Sequence, residues 1–404
     1  MDMPKKTPGS VAEFDAAQPH PAWKSMRETC PVSAGPAPAE GERPTYFVST
    51  WNEVNAVLVD TGTFSSTIYS ETTTRFMGPT LLALDGEQHR SWRALVSNAF
   101  RASQLEKWKE TLIVPAITRL CETVAGQGHA ELVEQVISRF PVHVICGMCG
   151  VPSADTPRFL QWAKDIHRGM IDPDIGIAAS EAMRAYLEPL VEERRVRPGD
   201  DLISDVIHAE VDGQRLNDEQ IYGFLRLLLP AGSESTYRSI CNALLGILTT
   251  PGLLERVNAD RSVLSAVIEE TIRWDVANSM VPRVATRDTE LGGCPIPAGA
   301  RVMVLTNSAN RDETRFEEAD RFDPDRPAKR HVGFGLGPHQ CVGQPLARIE
   351  LRVALEVMLD CFVNLRLDPA YPVPVIQGAS LCRAINWGWA GSRDIGGLRA
   401  DISG

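Results

Sequence analysis

The segment Phe334-Gly335-Leu336-Gly337-Pro338-His339-Gln340-Cys341-Val342-Gly343 carries the most reactive arrangement in the chain. Its three glycines remove Cβ atoms where the backbone must turn sharply or approach a flat ligand. Cys341 then falls at the mouth of a helix, because Pro345 suits a first helical turn and Leu346, Ile349, Val353 and Val357 recur on one face. Unpaired N–H groups and the helix dipole at such a mouth favour a thiolate over a thiol. A thiolate presented this way is a good axial ligand for haem iron. For a generic Gly-x-Gly ahead of a cysteine, the plainer alternative is a tight turn with an inert thiol.

A second constellation is Pro230-Ala231-Gly232-Ser233-Glu234-Ser235-Thr236, inside a long apolar helix. Pro230 removes one helical hydrogen bond and clashes with the carbonyl of Arg226, so a kink or local widening is expected. Ala231 and Gly232 flatten the surface, and Ser235 shares their face. Room for a small molecule beside a hydroxyl is one reading; close helix–helix packing at small residues is the other.

Charged pairs come next. Glu270 and Arg273 lie three apart on one helical face, with Ile268, Ile272 and Trp274 around them. A buried pair needs a further polar partner, and Glu318-Ala319-Asp320-Arg321-Phe322-Asp323-Pro324 offers Arg321. His89 and Arg93, four apart, also share a helix face. Cys146-Gly147-Met148-Cys149 lacks a second pair or a nearby His, and its apolar neighbours suit inert core thiols. Lys329, Arg330, His331, Arg348 and Arg352 form a basic cluster on an acidic protein.

The filled Phe-Gly-x-Gly-x-His-x-Cys-x-Gly pattern resembles the cysteine-loop signature of the cytochrome P-450 family at every fixed position. The resemblance runs from about residue 45 to the C-terminus, with motifs in the family order. It implies that Cys341 is the thiolate ligand of a haem b (iron protoporphyrin IX). Phe334 would pack near the sulfur, His339 would reach a haem propionate, and Gly335 and Gly343 would shape the loop. Residues 230–236 resemble the oxygen-activation element, which implies Ala231 beside the haem, Glu234 at the acid position and Ser235 at the alcohol position, where threonine is usual. Serine keeps the hydroxyl but lacks the methyl that restricts its rotamer. His89, Arg93 and Arg283 resemble propionate-binding residues. The resemblance implies that Glu270, Arg273 and Arg321 are structural, holding the cysteine loop. Phe76, Met77, Leu228, Met280, Val281 and Leu381 match substrate-contacting segments and are apolar.

The elements that must position these residues follow from pattern. Asn217 with Gln220 is a capping-box arrangement, and Asp218 and Glu219 suit the positive end of a helix that continues to Leu248. Strand-like pieces are short: Thr45–Ser49 and a cluster around Pro282–Val304. Most of the rest has helical period. The expected fold is mainly α with a minor β region, and by resemblance the P-450 fold, with haem between the long distal helix and the cysteine-loop helix. Residues 1–45, rich in Pro, Ala, Gly and charge, read as a poorly ordered arm, and 46–404 as a single monooxygenase domain.

Bulk properties exclude some functions. Net charge of -11 disfavours nucleic acid and anionic lipid as main partners. No window reaches the roughly 18 apolar residues of a membrane span. Nine scattered cysteines suit free thiols in a reducing cytosol, and the MDMPKKTPGS start has no apolar stretch of a secretory leader. A cytoplasmic monomer is expected. By resemblance the reaction is insertion of one atom of O2 into a small to medium apolar compound, as hydroxylation or epoxidation. NAD(P)H would supply electrons through a separate reductase and ferredoxin, docked on the basic cluster. A peroxide-driven peroxygenase and a non-catalytic haem sensor or carrier are the rivals; the acid–alcohol pair at 234 and 235 disfavours both.

Overall fold

The computed structural model describes residues 15–169, 172–377, 384–385 (backbone) and 398–402. In chain order, the helices used below are α1 (His20–Thr29), α2 (Trp51–Val59), α3 (Thr74–Met77), α4 (Gly86–Ser97) and α5 (Val114–Glu122). They continue with α6 (Phe140–Met148), α7 (Thr156–Arg168), α8 (Pro173–Val196), α9 (Asp218–Thr249), α10 (Leu264–Trp274) and α11 (Gln344–Cys361). Two compact units result: the described parts of residues 1–68, 270–340 and 377–383 in one, and of 69–269, 341–376 and 384–404 in the other.

The first unit is built on a five-stranded sheet of β1 (Val32–Ala34), β2 (Thr45–Val48), β3 (Phe64–Ser65), β4 (Val281–Ala285) and β5 (Arg301–Val304). Its order is β1-β2-β5-β4-β3. Only the β2–β5 pair is parallel, with Thr45 opposite Arg301 and Val48 opposite Val304. Val48, Val302, Val304 and Ala285 point into a core shared with Trp51, Val54, Val57 and Phe316, as period-two alternation requires. The expectation of a poorly ordered arm fails over residues 20–34, which form α1 and β1. Composition concealed a single apolar stripe: Trp23 and Met26, three apart on α1, pack with Leu305, Phe47 and Met280.

The second unit is helical. Its axis is α9, whose start carries both reciprocal bonds of the capping box, Gln220 N–H to Asn217 Oδ1 and Asn217 N–H to Gln220 Oε1. The helix runs through Pro230 without interruption, so packing outweighs the lost bond. Helices α6, α7 and α11 pack against it. Among the described residues, no helix is long and apolar enough to cross a membrane.

Candidate active site

Cys341 lies just before α11, whose N-cap is Gly343 and whose first turn contains Pro345. The sulfur is open to a ligand although protein surrounds the residue, and the two effects on its thiol compete. Burial pushes the thiol up, and this wins; the N–H groups of Gly343 and Gln344 and the charges of Arg93 and Arg348 pull it down. The dipole and N–H groups therefore do not suffice to ionise the thiol. A metal ion held by Cys341 would select the thiolate.

The loop before it is shaped by close contacts within the first unit. At Gly337 φ is +69°, and a Cβ would lie 2.6 Å from the carbonyl oxygen of Leu58 on α2. At Gly333 a Cβ would meet Ile272 of α10 at 2.4 Å. Gly335 also takes a positive φ. Phe334 and His331 bring their rings to 6.4 Å, and His339 sits in a short 3-10 turn over Gly337–His339.

The Glu270–Arg273 pair is buried and fully used. Arg273 donates to both Glu270 oxygens at 2.7 Å. It also donates to the carbonyls of Asn310, Ala319 and Arg321 at 2.8, 2.9 and 3.1 Å. Asn310 in turn accepts from the N–H of Val332 at 2.8 Å, which links the pair to the cysteine loop. The expected third partner is corrected. The Arg321 side chain is 61% exposed and pairs with Glu318, so only its carbonyl serves the network. Arg326 is the second guanidinium, 3.5 Å from Glu270 with its side chain 9% exposed. Asp323 N–H adds a bond to Glu270 at 2.8 Å, and the turn it starts at Pro324 swings Arg326 inward.

On the second unit, Ser235 Oγ donates to the Ala231 carbonyl at 2.7 Å. Ala231 is exposed and Ser235 half-buried, so this face of α9 is open. Gly232 does not contribute to it: its missing Cβ would lie 2.9 Å from Ile145 of α6, so that glycine serves helix packing. Glu234 is held by two residues that the sequence motifs do not include. His167 on α7 approaches it at 2.6 Å, and Arg238, one turn on, donates to its other oxygen. Burial favours the neutral acid, but His167 and Arg238 prevail and the carboxyl lies below its usual range. Glu234 is thus a clamped anion, and it must leave these partners before it carries a proton. Arg238 was legible as an i+4 partner; His167 had no sequence signal. Thr236 points elsewhere, toward Glu350 of α11 at 3.4 Å.

His89 is buried on α4 and Arg93 follows one turn later, its guanidinium pKa lowered by burial and raised by Cys341. Between them Trp92 Nε1 is buried with no acceptor among the described residues. In the first unit Arg283 is buried on β4, with Nη1 bonded to the Pro282 carbonyl and Nε lacking an acceptor. Phe76 and Met77 are buried on α3, and Leu228 is half-buried on α9. Met280 and Val281 pack against the first unit's cores. Leu381 lies outside the described residues. Cys146 and Cys149 are buried, and burial pushes the Cys146 thiol up to about 12 and Cys149 higher still; neither is poised to react. Of the basic cluster, Arg348 pairs with Glu269 at 2.5 Å and Arg352 with Glu356.

Comparison with known proteins decides the family. The family model described as Cytochrome P450 matches residues 39–377. The chain belongs to the cytochrome P450 family. It is similar to the mycinamicin IV hydroxylase/epoxidase of Micromonospora griseorubida, 35% identical over 85% of this P450 and 88% of the relative. It is also similar to the P450 monooxygenase PikC of Streptomyces venezuelae, 30% identical over 96% and 95%. A crystal structure of CYP109E1 from Bacillus megaterium in complex with testosterone superposes with a TM-score of 0.83 at 28% identity, covering 95% of this chain and 99% of that one. This P450 is accordingly a monooxygenase with the P450 fold.

The family carries a haem, and the residues present fit one. The orphaned Nε1 of Trp92, in the same unit as Cys341, is a buried donor in search of an acceptor, which an anionic carboxylate supplies. Cys341 offers sulfur flanked by positive charge.

Proposed function

We propose that this P450 holds a haem b through Cys341 and inserts one atom of O2 into a small to medium apolar compound, as hydroxylation or epoxidation. The observation that carries the reading is the Cys341 sulfur, open to a ligand at the mouth of α11 and faced by the N–H groups of Gly343 and Gln344. When bound, the haem supplies the oxygen chemistry; the protein supplies orientation, charge and proton supply. His89, Arg93, Arg283 and His339 bind its carboxylates. Phe334, Gly335 and Gly343 shape the loop around the sulfur. Ala231 leaves the α9 face clear, and Ser235 Oγ–H, now resting on the Ala231 carbonyl, turns to hold a proton toward the open side. Glu234 replenishes it after release from His167 and Arg238.

Phe76, Met77, Leu228, Met280, Val281 and Leu381 contact substrate in this reading. Relatives named for mycinamicin IV and crystallised with testosterone support a ring-bearing, mostly apolar compound. Electrons come from NAD(P)H through a separate reductase and a ferredoxin whose acidic face meets the basic residues near the cysteine loop. A cytoplasmic site of action accords with the free cysteines among the described residues.

The test combines a compound panel with surrogate ferredoxin and reductase. Compounds that shift the Soret band should stimulate NADH consumption and yield product labelled from ¹⁸O2. Label arriving only from peroxide, with no NADH-dependent product for any binder, would contradict the proposal.

A further inference from the structure

Between α10 and β4 the chain runs from Asp275 to Met280, and one residue of the first unit holds most of that stretch. Asn307, fully buried in the short helical turn Thr306–Ala309, accepts from the N–H of Val276 at 2.8 Å. Its side-chain amide donates to the Val276 carbonyl at 2.9 Å, and to Asp275 Oδ1 and Ser279 Oγ at 3.2 Å. Its own N–H donates to the Ser279 carbonyl at 3.3 Å, and Thr306 Oγ1 donates to the Asn278 carbonyl at 2.6 Å. The backbone leading into Met280 is therefore fixed.

The Met280 side chain is held differently. It is half-buried, with one side packed against the cluster of Trp23, Met26 and Leu305. Methionine is unbranched, with three rotatable side-chain bonds, and takes the shape that its neighbours leave. Two of those neighbours belong to α1, which is anchored at both ends. His20 Nε2 lies 3.3 Å from Asp275 Oδ2. Arg27 donates to both Glu313 oxygens at 3.2 and 3.0 Å and to Ser308 Oγ at 3.1 Å. Asp275 thus serves α1 through one oxygen and Asn307 through the other.

We infer that α1 sets substrate selectivity through Met280: Trp23 and Met26 back that side chain, and Asn307 and Asp275 hold the backbone that carries it. The inference rests on the reading that Met280 contacts substrate. The open side of Met280 then faces the compound and its packed side faces α1, so the backing residues are positioning residues that never touch substrate. Shortening Met26 leaves space into which Met280 recedes, and the yielding wall admits a bulkier compound. One methylene in an apolar site changes discrimination by about tenfold or more, and a side chain relaxing by that much should do the same.

The affinities of imidazole and 4-phenylimidazole for the haem-loaded protein, read from the Soret shift of each, supply a small and a bulky probe of this wall without oxygen chemistry. Met26→Ala should raise the ratio of 4-phenylimidazole to imidazole affinity about tenfold. Met26→Leu, which keeps the volume, should hold the wild-type ratio. Met26→Val, with the same direction of change, takes the place of Met26→Ala if that variant fails to accumulate. Met280→Ala should itself raise the ratio, and adding Met26→Ala should then change it less than about twofold, because the side chain it displaces is gone. A ratio unchanged by Met26→Ala, or raised equally with and without Met280→Ala, overturns the role of α1. A ratio unchanged by Met280→Ala instead removes Met280 from the substrate contacts, and the inference falls with it.

Discussion

Replacing Arg273 by Met should be among the most damaging single changes in the first unit. The side chain makes five hydrogen bonds, two of them to Glu270 at 2.7 Å. Its loss leaves Glu270, whose side chain is 5% exposed, with only Arg326 at 3.5 Å and the N–H of Asp323. Removing one partner of a buried ion pair costs about 3–5 kcal/mol, a large part of the roughly 5–15 kcal/mol that holds a folded protein together. Arg326→Met removes the weaker cation and should cost about 1.5–3 kcal/mol, typical of a bond to a charged group. Arg321→Met should cost no more than about 0.5 kcal/mol, since that side chain is 61% exposed and its carbonyl is retained. Urea unfolding of the three variants, with haem retention as a second readout, gives the comparison. Equal costs for Arg321→Met and Arg326→Met, or less than about 1 kcal/mol for Arg273→Met, would refute this view of the network.

Three further outcomes follow from the same contacts. Ser235→Ala should raise peroxide release relative to product, measured with a peroxide-coupled assay; unchanged partitioning removes Ser235 from proton supply. Gly337→Ala should lower haem incorporation: φ is +69° and a Cβ would sit 2.6 Å from the Leu58 carbonyl oxygen, so a left-handed penalty of about 1–2 kcal/mol adds to a backbone clash. Glu350 holds its proton to about pH 8 when folded, against the ordinary 4.5 that applies once the chain unfolds. The folded state thus binds more protons across that interval, and stability declines with rising pH by up to about 1.4 kcal/mol per unit. Glu350→Gln should flatten the dependence in urea titrations at pH 5 to 8; an unchanged slope would show an ionised Glu350.

Local signals read well where one segment contains the whole motif. The capping box at Asn217 and Gln220, the short strands near 45 and 282–304, and Gly337 in its turn all depend on neighbours in sequence. Roles that depend on which way a side chain turns did not read. Arg321 and Arg326 are both cations near Pro324, and only the direction of the turn decides which reaches Glu270. Gly232 looked like part of an open face, whereas Ile145 from another helix sits against it. His167 has no sequence pattern linking it to Glu234, because α7 and α9 meet only in the folded chain. The stripe of Trp23 and Met26 was too short to outweigh the composition around it.

The most direct measurement is the carbon monoxide difference spectrum of the reduced, haem-loaded protein, with Cys341→His beside it. Sulfur ligation predicts the red-shifted Soret band of a haem thiolate in wild type and its loss in the variant, with the pigment retained. A wild-type band at the position of imidazole-ligated haem, or the same spectrum in both proteins, would contradict ligation through Cys341.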